Sequence, residues 1–169
     1  MKATDAASFT EWAAARQHAL LRTAVLLTGD VHRGEDLVQE ALTKVALRWS
    51  RLAAGSPEAY ARKILVRDNI SWWRRNQRLS MAEEPPERPA PYDGDASERR
   101  LMLQTALARL SPRQRAVIVL RFYEDLTERD TASTLEVSVG TVKSHTHDAL
   151  RRMRVLAPGL SDLLGEELR

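Results

Sequence analysis

The sequence predicts an all-α protein of two small helical domains joined by a flexible, acidic, proline-rich linker. The composition is 43% hydrophobic and dense in Ala, Leu, Arg and Glu, with only 7 Gly and 7 Pro in 169 residues, which favours helices. Apolar residues recur at helical spacing on both sides of residues 81–98. Four of the seven prolines fall between Met81 and Ser97, so the helical pattern is interrupted there.

The charge distribution also indicates two separate bodies. Residues 1–80 carry a net charge of +5, residues 81–98 a net charge of −5, and residues 99–169 a net charge of +3. Two basic bodies indicate a polyanionic partner. We therefore divide the chain into a first domain (1–80), an acidic linker (81–98), a second domain (99–156) and a short tail (157–169).

Composition excludes several classes of protein. There is no cysteine, hence no disulfide framework and no thiolate metal site. No apolar run approaches the roughly 18 residues of a membrane span, and the N-terminus lacks the apolar core of a signal peptide, so a cytoplasmic protein is expected. No nucleophile–base pair and no glycine-rich nucleotide loop is present, and the 4 histidines lack metal-ligand neighbours. The sequence therefore predicts neither an enzyme nor a cofactor or metal site.

The first domain begins with two predicted helices. The first runs to Thr28, with Ser8 or Thr10 near its start, and Gly29 ends it. The second spans residues 31–52 and has a wide apolar face opposite an acidic one. On its own, that acidic face fits an ordinary solvated surface.

A third predicted helix carries most of the first domain's positive charge. It starts at Ser56, which caps it, with Pro57 in its first turn, and it runs to about Arg78. Its cations surround the adjacent Trp72 and Trp73, which differ by about 100° around a helix, so one ring is expected at the surface. Aromatic rings between cations can stack unpaired bases and hold a strand backbone. The alternative is that one ring is core and the other packs on an arginine stem.

The second domain is predicted to hold four helices, the last two forming a helix-turn-helix. Residues 98–110 form one helix, and Ser111 followed by proline starts the next. Thr127 followed by Asp130 is a further start signal, and the small Ala132 allows a close helix approach. Ser138 can cap the last helix, which is predicted from Val139 to about Met153.

The last helix has two distinct sides. Its predicted buried stripe comprises Val142, Thr146, Ala149, Leu150 and Met153. The opposite side carries Lys143, Ser144, His147 and Arg151, whose donors suit base edges and phosphates. A solvated basic face would show the same pattern. The paired start signals and Ala132 favour a reader of the major groove.

Together these segments resemble the bacterial sigma-70 superfamily, specifically its short extracytoplasmic-function (ECF) subgroup. GEDLVQEALTKVALRW (Gly34 to Trp49) resembles the family's helix that grips the β′ clamp of RNA polymerase. YARKILVRDNISWWRRN (Tyr60 to Asn76) resembles its promoter-melting, −10-reading helix. Residues 110–154 resemble the domain that reads the −35 element and packs on the β flap.

The resemblance implies a promoter-specificity factor and assigns candidate residues to three surfaces. Core polymerase binding falls to Asp36, Leu37, Gln39 and Glu40. Contact with −10 DNA and melting falls to Arg67, Asn69, Trp72, Trp73, Arg74 and Arg75. Contact with −35 DNA falls to Arg115, Thr127, Thr141, Lys143, Ser144, His145, His147, Asp148 and Arg151. The implied partners are the polymerase core, through its β′ clamp helices and β flap, promoter DNA and an anti-sigma factor.

Two positions depart from the family pattern. Glu136, in the turn of the helix-turn-helix, stands where glycine is frequent, so a left-handed backbone there would be strained. Asp148 stands where a basic residue is common, which puts the usual −35 sequence in doubt. The alternatives are a stand-alone helix-turn-helix regulator, which would bind DNA without polymerase, and a sigma-mimicking inhibitor, which would never open DNA.

Overall fold

The computed structural model describes residues 3–79 and 98–156. Expectations for the linker up to Ser97 and for the tail 157–169 lie outside the described residues. Every regular element in the described ranges is helical, which confirms the all-α prediction. The elements are α1 Ala3–Thr28, α2 Val31–Ala46, α3 Trp49–Leu52, α4 Pro57–Leu79, α5 Glu98–Ala108, α6 Pro112–Ile118, a π-helical turn Val119–Tyr123, α7 Glu128–Leu135 and α8 Val139–Leu156. Within these ranges no helix is long and apolar enough to cross a membrane.

The junction between α1 and α2 follows the predicted signals. Gly29 ends α1 with φ 77°, a left-handed conformation that costs glycine little, and its N–H donates to the carbonyl of Val25 at 2.8 Å. Asp30 then caps α2 by accepting from the N–H of Arg33 at 2.7 Å. A Cβ added at Gly34 would lie 3.0 Å from the Val25 side chain, so this glycine lets α1 and α2 pack closely.

The predicted second helix is divided in two. It ends at Ala46, and Arg48, with φ −117° and ψ 10°, turns the chain into the short α3. The break swings Trp49 inward, where its ring packs against Phe9 and Trp12 with centroids 5.4 Å apart. Its indole N–H donates to Ser8 Oγ at 2.8 Å. Ser8 therefore lies inside α1 as a tertiary acceptor and does not start the helix, which corrects the predicted boundary.

The second domain has the four predicted helices, with a π turn that the sequence did not predict. Ser111 and Gln114 form a reciprocal capping box at the start of α6. Thr127 caps α7, since its hydroxyl accepts from the N–H of Asp130 at 3.1 Å. Ala132 packs in a small buried cluster with residues of α6 and α8. The local signals thus predicted the helix-turn-helix correctly.

The two domains share an apolar core in this structure. The largest buried cluster contains Leu27 and Leu65 of the first domain together with Val119 and Leu120 of the second. Leu126 of the second domain packs against the same cluster. The sequence predicted two bodies held apart by a linker and did not predict this interface.

Candidate nucleic-acid and polymerase interfaces

Helix α8 presents the predicted reading face to solvent. Lys143, Ser144, His147 and Arg151 are exposed. On the other side Val142, Ala149, Leu150 and Met153 are buried, and Thr146 is half-buried. The predicted division into two sides is therefore confirmed, while contact with DNA stays a prediction.

Hydroxyl groups organise the first turn of this helix. Ser138 Oγ accepts from the N–H of Thr141 at 3.1 Å, and the two hydroxyl oxygens lie 2.9 Å apart. Ser144 donates to the Thr141 carbonyl at 3.0 Å. Because Ser138 caps the N–H of Thr141, the chain's own side chains hold this turn in shape.

The charges of the reading face are partly balanced by neighbouring carboxylates. Lys143 Nζ lies 3.7 Å from Glu128, and Arg151 lies 3.5 Å from Asp148 on the same helix. All four side chains are at least 40% exposed, so each pair stabilises by only about 0–1 kcal/mol. Phosphates can replace such weak partners. His145 and Asp148 are only half-buried, at the margin of the face.

Glu136 adopts the left-handed conformation that its position predicted. Its φ is 56° and its ψ is 45°, which costs a non-glycine residue on the order of 1 kcal/mol. Its carboxylate pairs with Lys63 Nζ of α4 at 2.8 Å. The hydrogen bond and charge of Lys63 lower the pKa of Glu136 below its ordinary value. The strained residue therefore forms a contact between domains.

The two tryptophans of α4 are both half-buried. Trp72 and Trp73 make an edge-to-face contact with centroids 5.9 Å apart. The Arg33 guanidinium lies 4.1 Å from the Trp72 ring centroid and is partly desolvated, which lowers the pKa of Arg33. Neither ring belongs wholly to the core. Arg67, Arg74 and Arg75 are exposed on the same helix.

Two predicted DNA contacts are buried and meet at one carbonyl. Asn69 Nδ2 and Arg115 Nη1 both donate to the carbonyl of Leu27, each at 3.1 Å. The Arg115 side chain also donates from Nε to Leu107 at 2.8 Å, and burial lowers the pKa of Arg115 to about 10. Asn69 Oδ1 is buried without a hydrogen-bond partner. In this arrangement neither side chain can reach DNA, contrary to the simple surface interpretation.

The predicted polymerase-docking face on α2 is largely exposed. Asp36, Gln39 and Glu40 point to solvent. Leu37 is only 1% exposed because it packs in the core beneath them. Leu37 therefore supports this face from below, which corrects its assignment to the surface.

An apolar groove that the sequence did not predict continues from this face. Its volume is about 550 Å³, and its lining includes Gln39, Leu42, Leu47 and Trp49. Leu47 is 81% exposed, since it caps α2 just where the helix breaks. The break is the structural feature that creates the groove, and no helical periodicity indicated it.

The described residues contain no cluster of three or more His, Cys, Asp or Glu that could hold a metal ion.

Comparison with known families gives two matches in chain order. The family described as Sigma-70 region 2 matches residues 12–79, and that described as Sigma-70, region 4 matches residues 100–153. The RNA polymerase sigma-E factor of Streptomyces coelicolor is 38% identical over 152 residues, covering 86% of this chain and 84% of that protein. The chain belongs to the sigma-70 family of RNA polymerase sigma factors.

Further relatives carry the name of the ECF subgroup. The ECF RNA polymerase sigma factor SigL of Mycobacterium tuberculosis is 34% identical over 143 residues, covering 80% of this chain and 81% of that protein. Sigma factors are a family of regulatory proteins. The family assignment made from the three quoted segments is thereby confirmed.

Two solved structures have the same fold. The sigma factor RpoE of Bartonella quintana, in complex with the anti-sigma factor NepR, matches with a TM-score of 0.70 and 26% identity, covering 89% of this chain and 97% of that one. CnrH, in complex with the cytosolic domain of CnrY, matches with a TM-score of 0.61 and 18% identity, covering 89% and 87%. The second likeness concerns the fold alone.

Proposed function

We propose that this protein is the promoter-specificity subunit of a bacterial RNA polymerase, acting as a regulator and not as an enzyme. The first domain (1–80) docks on core polymerase and holds the opened −10 strand, and the second (99–156) reads the −35 element. The observation that carries the proposal is the presence of both sigma-70 regions in order, each with its predicted polar face exposed. Both partners lie in the cytoplasm of a bacterium, where the protein would act.

The second domain reads duplex DNA through α8. The exposed Lys143, Ser144 and His147 reach base edges in the major groove, and Arg151 reaches a phosphate. Thr141 and Thr127, whose hydroxyls are engaged in caps, hold the ends of the two helices beside the backbone. Asp148 accepts from a cytosine amino group or repels phosphate, so the preferred −35 sequence differs from that of relatives with a cation there.

The first domain captures the unpaired strand through α4. Trp72 or Trp73 stacks a base, and Arg67, Arg74 and Arg75 hold its phosphates. Taking a base out of the duplex costs a few kcal/mol, and stacking returns about 1–3 kcal/mol per base. Capture therefore compensates for melting only when several contacts act together, as they do on assembled polymerase.

Docking on polymerase uses the acidic face of α2 and the neighbouring groove. Asp36 and Glu40 attract a basic surface, and Leu47 with the groove beside Gln39 supplies apolar area. An anti-sigma factor is a second proposed partner, since the RpoE structure of similar fold is a complex with one.

Transcription and binding assays together test this proposal. Run-off transcription with core polymerase on a promoter library should give discrete transcripts only when the protein is present. A gel shift should show stable promoter complexes only with core polymerase. Strong binding without polymerase would instead indicate a stand-alone regulator, and core binding without DNA opening would indicate an inhibitor.

The docking face is tested by a matched pair of variants. Asp36→Ala combined with Glu40→Ala should weaken binding to core polymerase by about tenfold or more, since truncating interface charges typically costs 1–2 kcal/mol. Glu11→Ala, an exposed acid on α1, should leave binding unchanged. Normal core binding by the double variant would disprove the docking assignment.

A further inference from the structure

Two ion pairs join the second domain to α4. Arg62 Nε pairs with Glu124 at 2.8 Å, and Lys63 Nζ pairs with Glu136 at 2.8 Å. The hydroxyl of Thr23 on α1 also donates to Glu124. Carboxylates of the second domain thus sit on adjacent cations of the helix proposed to hold the melted strand.

These contacts differ in exposure. The Arg62 and Glu124 side chains are only 14% and 16% exposed, whereas those of Lys63 and Glu136 are 38% and 64% exposed. Arg62 is also held within its own domain by Glu58 at 3.5 Å, so its cation is already placed on the surface of α4. Replacing Glu124 with another anion would leave that placement intact.

In this structure the two domains pack against each other, and we call this the closed arrangement. A protein in the closed arrangement cannot engage both promoter elements. The −35 and −10 elements are on the order of 80 Å apart, from about 25 base pairs at about 3.4 Å each. A compact chain of this length has a radius of gyration of only about 15 Å. Arg115 leaves the Leu27 carbonyl only when the second domain moves away from α1. Promoter binding therefore requires the domains to separate.

The likeness to RpoE bound to its anti-sigma factor includes the position of one domain relative to the other. Neither described domain, residues 3–79 or 98–156, makes up half of the 169 residues. A TM-score of 0.70 is therefore higher than either domain could give alone, and both must superpose together. The closed arrangement is thus a defined state of this fold, also adopted by a relative.

We propose that Arg62 and Lys63 form a binding site for the phosphates of the melted strand, and that Glu124 and Glu136 occupy those phosphate positions in the closed state. The second domain is then a cap, made by the chain itself, on its strand-binding surface. This inference rests on the proposed function. Glu136 supports it, because a carboxylate stands there on a left-handed backbone that would favour glycine.

Opening can be measured directly in the free, full-length protein. The chain has no cysteine, so Ala15→Cys and Ala108→Cys, both at exposed positions, place one dye on each domain for energy transfer. Glu124→Gln combined with Glu136→Gln should raise the open-to-closed ratio by at least about tenfold, with about 2–5-fold from the exposed pair and the rest from the buried one. Glu11→Gln with Glu128→Gln removes the same charge away from the interface and should change nothing.

A charge exchange separates the ion pair from general loss of stability. Lys63→Glu alone should open the protein, and adding Glu136→Lys should restore the closed state. If the single variant stays closed, the apolar core alone sets the arrangement. If the double variant stays open, Lys63→Glu acts by general destabilisation and not through the ion pair. Either result disproves the ionic cap.

Strand binding tests the second half of the inference. Fluorescence anisotropy with a single-stranded oligonucleotide of roughly 12 nucleotides should show tighter binding by the Glu124/Glu136 double variant. The gain should equal the gain in open fraction, because affinity is reduced by the fraction of competent protein. Adding Lys63→Gln to this open variant should reverse most of the gain in affinity for the oligonucleotide. Opening without tighter binding would disprove phosphate mimicry.

The proposed function is checked separately by run-off transcription with the wild-type protein. If transcription fails while the energy-transfer variants open, the protein is not an active promoter factor but the cap exists. If transcription succeeds and the variants stay closed, the cap is wrong and the proposed function stands.

Discussion

The two domains reach their stability in different ways. The first is built from long helices, α1 with 26 residues and α4 with 23, around one continuous buried cluster. In the second, α6 has 7 residues and α7 has 8, and the two buried clusters of its own are small. It completes its core by packing Val119 and Leu120 against the first domain. The second domain therefore depends on the other domain for its core more than the first does.

The largest expected effect is on the free energy of unfolding, and two leucines of the second domain are compared to test it. Leu120→Ala and Leu150→Ala should each reduce the free energy of unfolding by about 3 kcal/mol, the usual cost of a buried leucine. Only Leu120 lies in the shared core, so only Leu120→Ala should also lower energy transfer between the domains. Urea unfolding gives the first quantity. Equal energy transfer in both variants would show that the shared core does not hold the domains together.

A smaller effect on stability is expected at the junction between α1 and α2 in the first domain. Gly29→Ala should destabilise by about 1 kcal/mol, because φ 77° is strained for alanine. Gly55→Ala is the control, since an added Cβ there meets only the Leu52 carbonyl at an ordinary 3.6 Å. Thermal unfolding should place the first variant several degrees below the second, and the same melting temperature for both would contradict the strain argument.

Substitution of the left-handed residue in the second domain should raise stability, whereas Gly29→Ala lowers it. Glu136→Gly removes the backbone strain of a non-glycine residue at φ 56° and should stabilise α7 and α8 by up to about 1 kcal/mol. It also removes the exposed pair with Lys63, so the domains should separate more easily. Hydrogen exchange of α7 measures the first effect. Faster exchange in the variant would mean that the ion pair outweighs the strain.

The smallest change in stability is expected on the reading face. Asp148→Asn should alter the free energy of unfolding by less than about 0.5 kcal/mol, since its pair with Arg151 is exposed. It should nevertheless strengthen promoter binding on polymerase, because Arg151 is released towards phosphate. Glu11→Gln, which removes the same charge elsewhere, is the control. If Asp148→Asn leaves promoter affinity unchanged, Asp148 does not lie in the DNA interface.

Much of the candidate site was predictable because its signals are local. Ser111, Thr127 and Ser138 each bond to a backbone N–H three residues ahead, so the capped helix starts of the second domain were correctly identified. The exposed side of α8 followed from period 3.6. Leu37 and Asn69 became candidates through the family resemblance, which does not say which way a side chain faces, and only the packing shows that both are buried.

The amino-acid order alone thus determined the helices, their caps and the family of this protein, because each depends on residues within about one helical turn or on a shared pattern. The tertiary structure alone decided that α2 breaks before Trp49 and that Arg115 meets Leu27, 88 residues away. It also decided that Glu124 reaches Thr23, 101 residues away. Such contacts form where two folded surfaces meet, and helical periodicity specifies that a face is apolar without specifying what covers it.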